Sequence, residues 1–122
     1  MKLQSFYFIA IFIYAYITFA LTIEAYTTDT VFDRGFGYCK IWVEDSNEHR
    51  IAGDGPSHYG GCSVNYIKNK HQILYFPNQT FWVHAKVLDS AEKGKVRGPF
   101  NANTCFSIYG STSSWLFDEI SC

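Results

Sequence analysis

The segment FWVHAKVL, residues 81–88, alternates apolar side chains with larger or polar ones. Successive side chains of a β-strand point to opposite faces, so every second residue lies on the same side of a sheet. One side of this segment is wholly apolar and consists of Phe81, Val83, Ala85 and Val87. A segment with one apolar side is typical of a strand that buries that side against a second layer.

Short segments of this kind recur along the chain, each bounded by Gly, Pro, Asn or Ser. Strands joined by turns produce this pattern. The best candidate for a helix, residues 90–93, is cut short by Gly94. Six strands without a helix predict a small all-β sandwich or barrel. In chain order the predicted strands cover residues 38–44, 62–69, 72–76, 81–88, 104–109 and 115–119.

Alternation also assigns the faces of the first predicted strand. Cys39, Ile41 and Val43 share the inward side, and Trp42 lies on the outward side. Trp42, together with Trp82 and Leu88 of the fourth strand, allows two interpretations. These residues form either an interaction surface or the inner layer beneath a second sheet, which is the more common case in a sandwich. For Trp42 the covering layer could also be the long loop of residues 45–61.

Residues 1–25 predict a secretory signal peptide, because Lys2 precedes a nearly unbroken apolar run from Phe6 to Leu21. Cleavage after Ala25 is expected, and cleavage after Ala20 is the alternative. A retained membrane anchor is a further alternative, but no basic flank follows the run. Residues 26–122 then form one small domain with a polar, flexible arm at residues 26–37, and we expect it to be secreted and free of the membrane.

The charges of residues 26–122 nearly balance, with a net charge of −1. Proteins that bind nucleic acid normally carry a basic face, so the composition does not predict a nucleic-acid partner. All four cysteines, Cys39, Cys62, Cys105 and Cys122, lie in this part of the chain. An even number of cysteines in a short secreted chain predicts disulfides, and the spacing fits neither a zinc site nor a redox pair. Three pairings of the four cysteines are possible.

A catalytic site is not predicted, although a histidine-based arrangement can be drawn. Cleavage of RNA requires a base, an acid and a cation that converge on the phosphate. His84 lies on a strand, and Glu44, Arg50 or Arg97 could complete a triad with it, but most chains of this length allow such a drawing. The other histidines, His49, His58 and His71, fall in predicted loops or turns. We therefore expect no catalytic residues, no metal and no cofactor.

Two asparagines stand in glycosylation sequons. Asn78-Gln79-Thr80 has the common form and lies in a predicted hairpin turn. Asn103-Thr104-Cys105 has the rare cysteine form. We expect the second sequon to be silent because Cys105 should be part of a disulfide.

With a signal peptide, six short strands and this placement of cysteines, the chain resembles the MAX effectors, the secreted avirulence and ToxB-like proteins of plant-pathogenic fungi. The segments that match are YCKIWVED, FWVHAKVLD, TCFSIYG and SWLFDE, in the first, fourth, fifth and sixth predicted strands. The resemblance implies that residues 38–122 form a six-stranded antiparallel β-sandwich of two three-stranded sheets. It also implies the disulfides Cys39–Cys105 and Cys62–Cys122. Residues 45–61 and 89–103 are longer than the corresponding loops of compact members.

The same resemblance implies a function without catalysis. Members of the family act as virulence factors in or around plant cells by binding host proteins, and immune receptors with heavy-metal-associated domains recognise some of them. A sheet edge that pairs with the partner is the recurring mode of binding. Here that edge maps to Ser63, Val64, Asn65, Tyr66, Ile67 and Lys68. We expect a monomeric effector that binds a host plant protein, in the apoplast or inside the host cell; the alternative is a secreted ribonuclease-like protein or a toxin that acts on RNA or membranes.

Overall fold

The computed structural model describes residues 25–34, 37–62 and 70–122, which form nine β-strands in two sheets. These residues include no helix long and apolar enough to cross a membrane. The prediction of an all-β sandwich is confirmed, although the described residues contain more strands than the six predicted. The strands are β1 Ala25–Arg34, β2 Tyr38–Glu44, β3 Arg50–Gly53, β4 Gly60–Gly61, β5 His71–Pro77, β6 Phe81–Val87, β7 Lys95–Phe100, β8 Thr104–Gly110 and β9 Trp115–Ile120.

The first sheet has four strands in the order β5-β1-β8-β9. Strand β1 lies inside it, antiparallel to β5 and parallel to β8. The expectation that residues 26–37 form a flexible arm is therefore wrong for the residues of β1. Thr28, Thr30 and Phe32 of β1 are buried, and two of the three are polar. Because two inward positions are polar, the sequence of β1 does not show the alternation of apolar and polar residues by which a strand is recognised. Threonine is nevertheless a β-branched residue and fits a strand well.

The second sheet has five strands in the order β3-β2-β6-β7, with β4 paired to β2 as well. Strands β3 and β4 both come from the long loop expected at residues 45–61, and β7 comes from the linker expected at residues 89–103. The sheets thus contain four and five strands rather than three each. These three strands are short or interrupted by glycine and proline, so they lack a readable alternation.

The core lies between the inner faces of the two sheets. The inward residues predicted for β2 and β6 are all buried, which confirms the period-two assignment. Phe81 is the centre of an aromatic cluster, with ring centroids 4.6 Å from Phe76, 5.6 Å from Phe100 and 5.9 Å from Tyr26. Phe106 and Phe117 stack on each other at 4.8 Å. Residues of both sheets therefore share one apolar layer.

Strand β7 is an edge strand whose inward positions carry positive charges. Lys95 lies 4.5 Å from the centroid of the Trp115 ring and donates a hydrogen bond to the backbone carbonyl of Trp115. The Arg97 guanidinium lies 5.8 Å from the centroid of Phe117. Inward-pointing charges are one way in which natural sheets prevent edge-to-edge association. This edge is therefore a poor place for a partner strand to pair.

A disulfide joins Cys105 of β8 to Cys122, with a Cα–Cα distance of 5.2 Å. Both pairings implied by the resemblance, Cys39–Cys105 and Cys62–Cys122, are therefore wrong. The reason is topological, because β8 and β9 are antiparallel neighbours and the chain end returns beside the start of β8. Cys39 lies in the other sheet.

Cys39 and Cys62 lie near each other at one end of the second sheet. Cys39 of β2 pairs in register with Gly60 of β4, and the backbone N–H of Cys62 donates to the carbonyl of Gly37. Both side chains are buried. The rest of the predicted second strand, residues 63–69, lies outside the described residues, and so does the proposed partner-binding edge.

We expect peptide mapping of the secreted protein without reduction to recover the Cys105–Cys122 link together with a second link, Cys39–Cys62. The physical reason is that β4 holds Cys62 beside Cys39, on the same side of the sheet. A Cys39–Cys105 peptide would contradict the structure.

Replacement of Cys105 and Cys122 by serine should lower the free energy of unfolding by about 3 kcal/mol, the value expected for a loop of this length.

The buried threonines yield a second prediction. The hydroxyls of Thr28, Thr30 and Thr104 are buried and have no hydrogen-bond partner among the described residues. Valine has the same shape without the desolvated hydroxyl, so Thr28→Val should raise the free energy of unfolding by about 1 kcal/mol in urea titrations. Thr27→Val on the outward side of the same strand is the control and should have little effect. A loss of stability in Thr28→Val would show that the hydroxyl has a partner, such as an internal water.

Candidate functional site

The outer face of the five-stranded sheet carries two rows of large side chains. In the first row Trp42 of β2, His84 of β6 and Val96 of β7 are register neighbours. In the second row Glu44 of β2 lies opposite Trp82 of β6. The alternation that buries the inward residues of β2 and β6 necessarily places these residues on the outer face.

Glu44 joins the two rows through its carboxylate. Its Oε2 atom accepts a hydrogen bond from Trp42 Nε1 at 2.6 Å and lies 3.1 Å from His84 Nε2. The Trp42 and His84 rings stack with their centroids 5.0 Å apart and their planes 17° from parallel. Each of the three side chains therefore fixes the other two, and the group is rigid.

Two cationic side chains lie over the ring of Trp42. The Arg50 guanidinium lies 4.5 Å from the centroid of the Trp42 ring, and Lys40 Nζ lies 5.1 Å from it. Lys40 also lies 4.8 Å from the centroid of the Tyr59 ring. We call Lys40, Trp42, Glu44, Arg50, Tyr59 and His84 the outer-face cluster. Trp42 is thus half-buried beneath Arg50 of the expected 45–61 loop, which agrees with the interpretation that it lies in a layer under that loop. The interpretation that it forms the inner layer beneath a second sheet is wrong.

A cavity of about 400 Å³ opens beside the outer-face cluster. The rings of Trp82 and His84 form its aromatic wall, and acidic residues supply much of the rest. We call it the acidic cavity, and its lining residues are Glu44, Asp45, Ser46, Glu48, Trp82, His84 and Val96. Its lining contains three acidic residues and no lysine or arginine.

The loop between β2 and β3 forms the acidic rim. Asp45 Oδ1 accepts hydrogen bonds from the backbone N–H groups of Asn47 and His49, each at 2.9 Å, which closes a tight turn. Glu48 follows with a φ of 63°, in the left-handed region that side chains other than glycine seldom adopt. This exposed residue is therefore held in an uncommon conformation at the mouth of the cavity.

Burial lowers the pKa of His84 below its ordinary value of 6.5. Glu44 opposes this effect by raising the pKa, Arg50 adds to the lowering, and Glu48 raises it slightly. Burial is the largest of these effects, so the imidazole is mostly neutral at pH 7. The contact between His84 and Glu44 is then a hydrogen bond in which Nε2 donates, rather than an ion pair.

The structure brings together three of the four residues named for a possible triad, and it places Arg97 and the other histidines elsewhere. His84, Glu44 and Arg50 all belong to the outer-face cluster. His71 pairs instead with Asp29 at 2.9 Å on the other sheet, and Arg97 points inward. His49 and His58 are exposed in the 45–61 segment. Over the described ranges, no group of three or more His, Cys, Asp or Glu side chains could hold a metal ion.

The contact between Glu44 and His84 bears on what chemistry the site could perform. A general acid and a general base must each reach the substrate, on different atoms of the reacting group. Here the candidate acid and base bond to each other, and Trp42 occupies the same carboxylate oxygen. The Arg50 guanidinium is held over the Trp42 ring. A carboxylate that accepts a hydrogen bond from a histidine can also orient that ring for proton transfer, so the contact is compatible with a binding role and with a chemical one.

Sequence reasoning missed the acidic cavity itself. The alternation of residues 81–88 places Trp82 and His84 on the side opposite the apolar one, but Asp45, Glu48 and Val96 fall within the loop and the linker expected at residues 45–61 and 89–103. The turn-forming sequence DSNE was an available signal, since Asp and Asn commonly hold tight turns through side-chain hydrogen bonds. Nothing in the sequence indicates that β7 brings Val96 beside His84.

No protein-family model matches the chain, and no curated protein matches it. Solved structures that are similar to the chain at a low level include two toxins. The crystal structure of the human-specific toxin intermedilysin is 12% identical with a TM-score of 0.47, and a structure described as a trapped toxin is 14% identical with a TM-score of 0.46. Each alignment covers 82% of this chain and 24% of the toxin chain. The chain thus spans about a quarter of either toxin's length, and TM-scores this low support no inference about function.

The lowered pKa of His84 predicts how stability depends on pH. Between the folded-state pKa and the unfolded value of 6.5, the unfolded chain binds more protons, so the free energy of unfolding rises with pH. Acidification through this window should therefore destabilise the protein. Urea titrations at a series of pH values should show this slope in the wild type, and His84→Gln should reduce it. The exposed His49→Gln variant is the matched control and should keep the slope. If the slope is lost in His49→Gln, the pH dependence comes from His49 and not from His84, and the prediction is wrong.

Proposed function

We propose that this chain is a secreted effector that binds a host plant protein and catalyses no reaction. The observation that carries the proposal is the outer-face cluster with the adjoining acidic cavity. The resemblance of the strand segments to the MAX effectors supplies the biological setting, namely a fungal protein that modulates plant immunity outside or inside the host cell.

The composition of the outer-face cluster suits protein recognition. Tryptophan, tyrosine and arginine are the residues most enriched among those that dominate binding energy at interfaces. Trp42 and His84 are already fixed by stacking and by Glu44, so binding would cost them little conformational entropy. The exposed apolar residues Tyr38 and Val96, 57% and 46% exposed, lie on the same sheet.

The acidic cavity indicates what kind of group the partner inserts. Its volume of about 400 Å³ accommodates one or two side chains. A lysine or arginine of the partner could place its aliphatic stem along Trp82 and direct its charge towards Glu44 and Glu48. We therefore propose that the partner presents a basic anchor residue to this cavity.

The resemblance predicts a second mode of binding, in which the partner pairs with the edge formed by Ser63 to Lys68. These residues lie outside the described part of the chain. The two modes predict different sensitive residues, Trp82 and Glu48 for the cavity and Ile67 for the edge.

A second candidate function is cleavage of RNA, and the specific observation in its favour is the His84–Glu44 contact beside a cavity. The Arg50 guanidinium, which would have to bind the phosphate, lies over the Trp42 ring instead, and this counts against cleavage of RNA. It is kept as an outcome of the test below.

The secreted protein is first mixed with an extract of the host plant. The host proteins that bind to it are cross-linked to it, captured and identified. The identified partner is then purified and its Kd is measured by calorimetry. Trp82→Ala and Glu48→Gln should each weaken binding by about tenfold or more, equivalent to about 1.4 kcal/mol. The matched control is Tyr75→Ala, since Tyr75 is an aromatic residue that is 67% exposed on the outer face of the other sheet. It should bind as the wild type does.

Thermal unfolding of each variant checks that the fold is intact. If Ile67→Asp abolishes binding while Trp82→Ala and Glu48→Gln leave it unchanged, the edge mode replaces the cavity mode. If the purified protein cleaves RNA, and His84→Ala abolishes the cleavage while His58→Ala does not, the proposal of a non-catalytic effector is wrong.

A further inference from the structure

The turn between β5 and β6 carries the sequon Asn78-Gln79-Thr80. Strand β5 ends at Pro77 and β6 begins at Phe81, so the sequon fills the whole connection. Asn78 is exposed, and its side chain makes no hydrogen bond or ion pair within the described ranges. An asparagine of this kind, in a surface turn of a secreted chain, is the usual acceptor for N-linked glycosylation.

We propose that Asn78 carries an N-linked glycan. In the reaction the side-chain amide nitrogen of Asn78 forms a bond to C1 of the reducing-end N-acetylglucosamine of a lipid-pyrophosphate-linked oligosaccharide. The bond from C1 to the pyrophosphate oxygen breaks, the lipid pyrophosphate leaves, and the amide nitrogen loses one proton. No change of oxidation state occurs.

The surroundings of Asn78 accommodate a saccharide without disturbing the fold. A surface groove of about 430 Å³ adjoins the turn and is lined by Ala25, Tyr26, Asn78, Asn101, Ala102 and Asn103. Besides Asn78 itself, this lining contains two carboxamides, those of Asn101 and Asn103, whose donors and acceptors suit sugar hydroxyls. The Thr80 hydroxyl donates to Asn101 Oδ1 at 2.8 Å, which holds the turn against the next loop. The first sugar can therefore lie on a polar surface outside the core.

Asn103 provides an internal comparison. Its Oδ1 atom accepts a hydrogen bond from the backbone N–H of Thr27 at 2.9 Å, so its side chain is part of the contact with β1. The third residue of its sequon, Cys105, is bonded to Cys122. Thr104, between them, is buried. The structure therefore assigns the glycan to Asn78 and not to Asn103.

The glycan site is separate from the acidic cavity, since the two sets of lining residues share no member. The inference shares with the proposed function only the expectation that residues 1–25 direct the chain into the secretory pathway. Loss of the glycan and loss of partner binding can therefore be measured independently.

The experiment expresses the full chain in a eukaryotic host and collects the protein from the medium. Treatment with peptide N-glycosidase in ¹⁸O water should increase electrophoretic mobility and leave ¹⁸O-labelled aspartate at position 78. Asn78→Asp and Thr80→Ala should abolish the mobility shift, and Thr80→Ser should retain it. Asn103→Asp makes the same chemical change at the other sequon, keeps an oxygen for the Thr27 N–H, and should leave the shift intact.

The proposal is overturned if the wild-type protein carries no glycan, or if the ¹⁸O label appears at position 103 rather than 78. Mapping of the Cys105–Cys122 link separates the causes of an unglycosylated product. A chain with this disulfide has entered the secretory pathway and been skipped at Asn78, whereas a reduced chain in the cell lysate has not entered it. In the first case the proposed function still stands, and in the second the expectation of secretion falls as well.

Discussion

Strand β1 (Ala25–Arg34) is the element on which the four-stranded sheet depends. It pairs with β5 on one side and with β8 on the other, and β5 is connected to the rest of this sheet through β1 alone. Parallel neighbours require a long crossover between them. Here the connection from β1 to β8 contains all five strands of the second sheet as well as β5. The pairing of β1 with β8 in one sheet therefore depends on the path of the chain through the other.

The outer face inherits its rigidity from the register between β2 and β6. That register places His84 opposite Trp42 and Trp82 opposite Glu44. One carboxylate oxygen of Glu44 then bonds to both rings of the first row. These rings are therefore already ordered and have little rotamer freedom left to lose when a partner binds. A surface that is already ordered can offer its area to a partner at a lower entropic cost, and this links the β-sheet geometry to the proposed function.

The sequence predicted the parts of the fold in which a strand is amphipathic. It predicted β2 with its observed bounds, β6 to within one residue at its end, and the inward residues of both. It missed β1, where threonines occupy buried positions, and β3, β4 and β7, where glycine or proline removes the pattern. Within the candidate site it identified His84, Glu44 and Arg50 as chemically relevant residues, but it could not bring them together, because their contact depends on how β2, β3 and β6 are aligned.

The sequence alone determined that this chain is all-β and which sides of its amphipathic strands face the core. A period of two is a local property, and it follows from the pleat of each strand without reference to any other strand. The tertiary structure alone decided that Cys105 bonds to Cys122 and that Glu44 holds His84. Spacing along a chain leaves every cysteine pairing open, and only the order of strands in the sheets determines which distant residues become neighbours.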